Sequence, residues 1–330
     1  MNCAVIGAGA WGTALANVMA ANGHRVALWA READVVASIN ISAENRRFLP
    51  GVRIAQGVRA TGAIDDALGD AELVIYVAPS HALRTVAESG AAFVRPRAAL
   101  VVASKGIERE TLAIMSDVIA DAVPRHSVVA LSGPSFAAEV ANGQPTAVVA
   151  ASTDASAATL VQTTLSSDVF RVYTHDDVIG VELGGALKNV MAVATGMAEG
   201  LGLGFNSRAA LITRGLAEMT RLGVALGANQ ATFAGLAGLG DLVLTCTGAL
   251  SRNRALGMEV GTGHTLDQAL EGKDSVAEGV LNTVSAHALA QREGVRMPIV
   301  QAVHRILFEG QPARQAIGAL MTRELRAEQD

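Results

Sequence analysis

The chain has 330 residues, half of them hydrophobic, 17% charged and only 3% aromatic, with 34 glycines, 8 prolines and a net charge of −5. That composition is globular and excludes disorder, a collagen-like repeat and a disulfide scaffold, while the length suits about two domains with separate cores. The acidic excess and the lack of any basic run longer than Arg46-Arg47 exclude a nucleic-acid stripe and speak against an anionic membrane surface.

The amino terminus enters an apolar run at residues 3–6 with no positive leader, so no signal peptide is expected. A helix is predicted over 13–22, ended by Gly23, whose missing Cβ suits a left-handed cap. Further short β-branched runs at 25–29, 73–77, 99–103, 128–131, 146–150 and 169–172 alternate with longer helical segments. This rhythm predicts an α/β region with a doubly wound, largely parallel sheet and helices on its faces. From Asp176 the strand signals stop and helical patterns at 178–199 and 207–226 take over, so the expected division is 1–175, an α/β nucleotide-binding domain, and 176–330, an all-α substrate domain. With no linker visible, their interface is the expected place for a site. The uncharged stretch 222–240 carries five glycines with Asn229 and Gln230, and reads as buried helix and loop rather than a membrane span.

Gly7-x-Gly9-x-x-Gly12 leaves the first strand and opens the first helix, the setting in which this spacing cradles a dinucleotide. Gly7 permits the tight turn, Gly9 lets the backbone approach a pyrophosphate, Gly12 packs helix on strand, and the helix N-terminus attracts the phosphates. An acid at the end of the second strand accepts from the ribose in NAD-binding chains. Here that place holds Arg31, with Glu32 one residue late, so Arg31 is expected to pair with a 2′-phosphate, making NADP accepted and preferred over NAD.

Only three basic residues are Lys: Lys105, Lys188 and Lys273. Ammonium can lose its proton when buried, whereas guanidinium cannot, so a retained Lys marks a place for a titratable amine. Lys105 follows a strand, at the end where open α/β sheets bind ligands. Lys188 is the only charged residue between Glu182 and Glu199, in a helix apolar on most of its surface and therefore buried. A lone buried ammonium gives up its proton more easily, which suits an acid or base near neutral pH. Asp241 is the only charged residue over 222–251 and needs a partner or a task; Lys188 and Arg252 are the opposite-sign candidates. Ser251-Arg252-Asn253-Arg254 precedes a helical pattern at 255–260, a capped N-terminus suited to an anion such as phosphate. The seven histidines have no paired spacing, and His81 reads as a loop or cap residue. Cys3 and Cys246 form neither a metal-ligand spacing nor a disulfide framework, which fits a reducing cytosol and no metal.

These residues fall within a series of motifs: Gly7-Ala8-Gly9-Ala10-Trp11-Gly12, Ser104-Lys105-Gly106-Ile107-Glu108, Ser132-Gly133-Pro134-Ser135-Phe136-Ala137, Gly184-Gly185-Ala186-Leu187-Lys188-Asn189-Val190, Gly238-Leu239-Gly240-Asp241-Leu242, Ser251-Arg252-Asn253-Arg254 and Val276-Ala277-Glu278-Gly279. In this order they resemble the bacterial NAD(P)-dependent glycerol-3-phosphate dehydrogenases over nearly the whole chain. Ala10 stands where many of that family carry Ser. The resemblance implies a Rossmann-like domain followed by an all-α domain, a cytoplasmic homodimer, and interconversion of sn-glycerol 3-phosphate and dihydroxyacetone phosphate for glycerophospholipid synthesis. It implies Lys188 as proton acceptor, with Lys105 and Asp241 holding the substrate and tuning that lysine. Substrate contacts carried over are Gly133, Ser135, Asn189, Thr245, Ser251, Arg252 and Asn253. Residues lining NADP or NAD would be Gly7, Gly9, Ala10, Trp11, Gly12, Arg31, Lys105, Ala137, Arg252, Val276 and Glu278; Lys273 has no role. The alternatives are a related 3-hydroxyacid or ketopantoate-type reductase, or a non-catalytic sensor of cofactor redox state.

Overall fold

In the computed structural model, which describes residues 1–272 and 277–321, the β-branched runs become strands of one sheet. The strands are β1 (Asn2–Ile6), β2 (Arg25–Trp29), β3 (Glu44–Asn45), β4 (Leu49–Arg53), β5 (Val58–Thr61), β6 (Leu73–Tyr76), β7 (Ala99–Val102), β8 (Val128–Ser132), β9 (Thr146–Ala151) and β10 (Phe170–His175). Eight of them form a sheet in the order β10-β9-β8-β7-β6-β1-β2-β5, parallel except where β8 meets β9, and β3 pairs with β4 as a separate antiparallel hairpin. All seven expected strands are present, β2 with the expected ends and the others with ends shifted by one to three residues. The three that sequence patterning missed have weak signals: β3 is two residues, β4 contains Pro50-Gly51, and β5 places Arg59 among four residues.

The helices are α1 (Ala10–Ala21), α2 (Ala33–Ser42), α3 (Ile64–Leu68), α4 (Leu83–Gly90), α5 (Met115–Ala122), α6 (Ala137–Ala141), α7 (Ala155–Leu165), α8 (Val178–Gly200), α9 (Phe205–Ala225), α10 (Asp241–Thr247), α11 (Arg252–Gly261), α12 (Leu266–Leu270), α13 (Glu278–Arg292), α14 (Pro298–Phe308) and α15 (Ala313–Met321). The chain separates into two compact units, one of Met1–Gly185 with Ala228–Asp241, the other of Ala186–Gly227 with Leu242–Asp330.

In the first unit the period-2 alternation of each strand feeds two cores. Cys3, Val5, Val26, Leu28 and Ile75 face Leu15 and Met19 of α1 and Val161 and Leu165 of α7. Ala4, Ile6, Val74, Tyr76 and Leu100 face Leu68, Leu83, Met115 and Ile119 on the other side. Both faces of the sheet are covered, which is why its strands read as continuous apolar runs. Each fully buried Leu or Ile contributes roughly 1.5–3 kcal/mol. Burial pushes the Cys3 thiol up to about 11, and Cys3 and Cys246 are both buried and in no disulfide. The strand order reverses between β1 and β6, and ligands of open α/β sheets bind outside the carboxyl ends at such a point.

Glu182 of α8 is buried and accepts from the Ser116 backbone N–H at 3.0 and 3.1 Å and from the Ser116 hydroxyl, at the start of α5. Desolvation outweighs these bonds and raises its pKa from 4.5 to about 7. Between those values the folded chain holds a proton that the unfolded chain has released, so stability falls as pH rises from about 4.5 to about 7 and is level above that. The expected span is about 3 kcal/mol, from ~1.4 kcal/mol per unit. Urea midpoints measured across this range should decline for the wild type and stay flatter for Glu182→Gln.

The second unit is helical. Gly196 and Gly200 of α8 meet Gly257 and Gly261 of α11, and the two backbones touch: a Cβ on Gly196 would lie 2.1 Å from the Arg254 carbonyl oxygen, and one on Gly257 2.2 Å from that of Val193. Arg254 at the head of α11 grips Glu199 with Nε at 2.9 Å and Nη2 at 2.7 Å, and Arg208 of α9 reaches the same carboxylate at 2.7 Å. Buried Glu218 of α9 accepts from the N–H groups of Ile299 and Val300 at the start of α14, whose first residue is Pro298. By length and composition the one helix able to cross a membrane among the described residues is α8, and 89% of its apolar window is buried inside the protein. The stretch 222–240 is no such span, since α9 ends at Ala225 and short 3-10 and π turns follow.

Candidate active site

The glycine spacing does what its geometry demands. Gly7 sits at φ +125°, and a Cβ there would press within 3.0 Å of the Val77 backbone at the end of β6. A Cβ on Gly12 would lie 1.9 Å from the Gly7 carbonyl oxygen, so only glycine lets α1 pack this close to its own strand. Gly9, the N-cap of α1, has extended backbone, and a Cβ there would meet nothing within 4 Å. A backbone open at this point beside the unsatisfied N–H groups of a helix N-terminus fits a pyrophosphate. Ala10 opens α1, and the Trp11 indole N–H is buried with no hydrogen-bond partner. Ala137 begins α6. Arg31 is 82% exposed, and its Nε and Nη2 donate to Glu32 at 3.2 and 2.9 Å, so a 2′-phosphate would compete with Glu32 for the guanidinium.

Lys105 follows β7 and donates from Nζ to the Gly133 carbonyl at 3.0 Å and to Asp241 at 2.7 Å. The Asp241 side chain is 1% exposed and that of Lys105 17%. Sequence spacing did not single out this pairing, because the two residues stand far apart in the chain. Three glycine-dependent contacts make it. Gly133 at φ +142° passes within 2.9 Å of Val148, measured from a notional Cβ, and its carbonyl also accepts from the Ser135 hydroxyl at 2.9 Å. Gly185 lies against Ser132 Oγ and the Lys105 stem, where a Cβ would sit 2.6 and 3.4 Å away. Before Asp241 the chain forms a π turn, Leu236–Gly240, closed by Gly240 N–H to the Gly235 carbonyl at 3.1 Å, with Gly238 packed on Phe233. Glu108 also holds the Lys105 loop in place: Arg84 grips it at 2.9 Å through both Nε and Nη2, which keeps its carboxyl below the usual range.

In the helical unit Lys188 is 7% exposed and donates to Thr245 Oγ1 at 3.0 Å. Asn189 accepts from Asn253 Nδ2 at 2.9 Å, while Asn253 Oδ1 accepts from the Gly279 N–H at 2.9 Å. Ser251 caps α11 by accepting from the Arg254 N–H at 3.2 Å, as the sequence predicts. Arg252, the first residue of α11, is exposed, and Glu278 opens α13 and is half-buried. His81 is exposed in a short 3-10 turn. Val276 and Lys273 lie outside the described residues. Beyond its place in the capped motif at 251–254, sequence reasoning gave Arg254 no role; it anchors the start of α11 through Glu199, and a lone acid ending the apolar α8 was the available signal. No group of His, Cys, Asp and Glu fit to hold a metal occurs among the described residues.

A doubly wound sheet with a glycine turn at its order reversal, followed by a helical unit carrying a buried lysine, defines a dinucleotide-dependent oxidoreductase. Two family models divide the chain: NAD-dependent glycerol-3-phosphate dehydrogenase N-terminus matches residues 2–158, and the corresponding C-terminus matches residues 177–318. A protein of Trichlorobacter lovleyi named glycerol-3-phosphate dehydrogenase (NAD(P)+) is 55% identical over the full length of both chains. The crystal structure of a glycerol-3-phosphate dehydrogenase from Coxiella burnetii, 40% identical, covers 98% of this chain and 99% of its own with a TM-score of 0.94. A ketopantoate reductase structure from Ralstonia eutropha, 16% identical with a TM-score of 0.61 over 97% of this chain and 100% of its own, shares the fold alone. The chain therefore belongs to the NAD-dependent glycerol-3-phosphate dehydrogenase family, which favours that reading over the reductase and sensor alternatives.

Proposed function

We propose that the chain interconverts sn-glycerol 3-phosphate and dihydroxyacetone phosphate with NAD(P), Lys188 being the proton acceptor. The observation that best supports these roles is the buried Lys188 amine donating to Thr245, together with Lys105 held between the Gly133 carbonyl and Asp241. Lys188 takes the proton of the C2 hydroxyl as C2 is oxidised, and returns it in the reverse direction. Lys105 and Asp241 hold the substrate hydroxyls. Asn189 and Thr245 add polar contacts, as do Gly133 and Ser135. Ser251, Arg252 and Asn253 bind the phosphate at the start of α11, where helix dipole, backbone N–H groups and guanidinium combine. The residues that would hold the dinucleotide are Gly7, Gly9, Ala10, Trp11, Gly12, Arg31, Lys105, Ala137, Arg252 and Glu278, with Val276 carried over from the family. When bound, the nicotinamide supplies the hydride acceptor for C2. Residues 1–175 then form the dinucleotide domain and 176–330 the substrate domain, and the protein works as a cytoplasmic homodimer in glycerophospholipid synthesis. Two buried cysteines, neither in a disulfide, suit a reducing compartment.

The test follows nicotinamide absorbance of the pure protein with dihydroxyacetone phosphate and each reduced cofactor. Oxidation at background rates with both would end the proposal. In the same assay Arg31→Ala should lower kcat/KM for NADPH about tenfold and leave NADH nearly unchanged, because an exposed guanidinium–phosphate pair is worth roughly 1.5 kcal/mol. Equal losses with both cofactors would remove Arg31 from 2′-phosphate recognition.

A further inference from the structure

We propose that Asn45, on the hairpin β3–β4, is a positioning residue that aims the Gly9 N–H of the glycine turn at the dinucleotide pyrophosphate. The inference rests on the dinucleotide reading of that turn. Asn45 is fully buried, at 0% exposure, outside every motif discussed above. Its Oδ1 accepts from the Phe48 N–H at 3.1 Å, and a backbone N–H can only donate, so the orientation of the amide is fixed. Nδ2 then faces the Ala8 carbonyl at 2.8 Å and Thr13 Oγ1 at 2.8 Å. Thr13, also at 0% exposure, aims its hydroxyl at the same Ala8 carbonyl at 3.4 Å.

The Ala8 carbonyl lies between Gly7 and Gly9, before the first bond of α1, in which Thr13 N–H donates to the Gly9 carbonyl at 3.0 Å. Two side chains thus take the place of a backbone partner. A trans peptide is planar, with its C=O and N–H pointing in opposite directions, and no described residue has a cis bond. Fixing the Ala8 carbonyl toward Asn45 therefore fixes the Gly9 N–H to point away from it. Without the amide the Ala8–Gly9 plane is free to rotate, because glycine at Gly9 imposes little of its own. The hairpin is itself tied to α1, where Asn17 bonds the Arg53 carbonyl and the Ala55 N–H, each at 3.0 Å. A two-strand hairpin outside the main sheet is in this way a brace for the anion-binding turn.

The experiment titrates reduced dinucleotide into wild type, Asn45→Ala and Asn45→Asp, and measures steady-state kinetics on each. Asn45→Asp keeps the shape and the acceptor for Phe48 but turns an oxygen toward the Ala8 carbonyl. Both variants should raise the dinucleotide Kd about tenfold or more, the scale of one hydrogen bond to a charged group. At saturating dinucleotide, kcat and the KM for dihydroxyacetone phosphate should stay within twofold of wild type. A dinucleotide Kd within twofold of wild type in either variant that melts cooperatively overturns the proposal, as does a parallel loss of kcat, which would mean general loosening. Should neither variant melt cooperatively, glycine-labelled wild type decides by nuclear magnetic resonance: the Gly9 amide signal must move on adding dinucleotide, and an unmoved signal overturns it. Failure of the dinucleotide reading itself would show differently, as wild type that binds no dinucleotide.

Discussion

Lys188→Ala should lower kcat by about a thousandfold, within the roughly 10²–10⁴ range of a general base, while the dinucleotide Kd should stay within twofold. The glycine turn that would bind the dinucleotide follows β1, far along the chain from α8, so the two losses separate. Lys188→Arg sharpens the test. It keeps a cation of similar reach next to Thr245, but guanidinium does not deprotonate in proteins, so it should stay at least a hundredfold slow. If the role of Lys188 were only to supply charge, the arginine variant would recover most of the rate. Single-turnover kinetics with dihydroxyacetone phosphate, reading nicotinamide absorbance, distinguish these cases. A Lys188→Ala enzyme turning over at the wild-type rate would remove Lys188 from the chemistry.

Gly257→Ala should destabilise the protein by about 3 kcal/mol, although alanine in place of an open helical glycine would gain up to ~1 kcal/mol. The sign reverses because a Cβ on Gly257 would lie 2.2 Å from the Val193 carbonyl oxygen and 3.0 Å from the Met197 nitrogen. Those neighbours are backbone, so no rotamer can yield and the helices must separate; overpacking of this kind costs roughly 1–3 kcal/mol or more. Against a total of about 5–15 kcal/mol this is a large fraction. Gly204→Ala is the packing control, since a Cβ there meets nothing within 4 Å, and as the N-cap of α9 it should cost no more than about 1 kcal/mol. Urea unfolding of the two variants beside wild type measures both. Because α11 begins with the residues proposed to bind phosphate, Gly257→Ala should also raise the KM for the phosphorylated substrate; an unchanged KM and midpoint would refute the close-packing account.

The sheet was legible because buried parallel strands are continuous apolar runs, and Val5, Ile75 and Val101 sit in such runs. Hairpin β3–β4 was not: two residues followed by a Pro-Gly strand give no period, and what holds Asn45 in place is tertiary. At the candidate site the residue types were legible and the pairings were not. Lys188 and Asp241 stood out as isolated charges in apolar surroundings, and Lys105 as a rare lysine at the carboxyl end of a strand. That Asp241 meets Lys105 depends on a π turn and on glycines at 133 and 185, and nothing local to Asp241 carries that information. Arg254 and Glu199 likewise meet only because two glycine-lined helices lie in contact.

Helix α8 also bears on how the chain is made. Synthesis delivers Val178–Gly200 well before α11 and α13, whose backbones lie against Gly196, Gly200 and the Asn189 carbonyl. At about 5–20 residues per second the nascent helix waits on the order of 5–20 s for the last of those partners. During that wait its apolar surface lacks the partners that bury it in the finished protein. Only Glu182, Lys188 and Glu199 interrupt that surface. The charges used for packing and proposed for chemistry in the finished protein are thus also the only breaks in the apolar surface of the unfinished one.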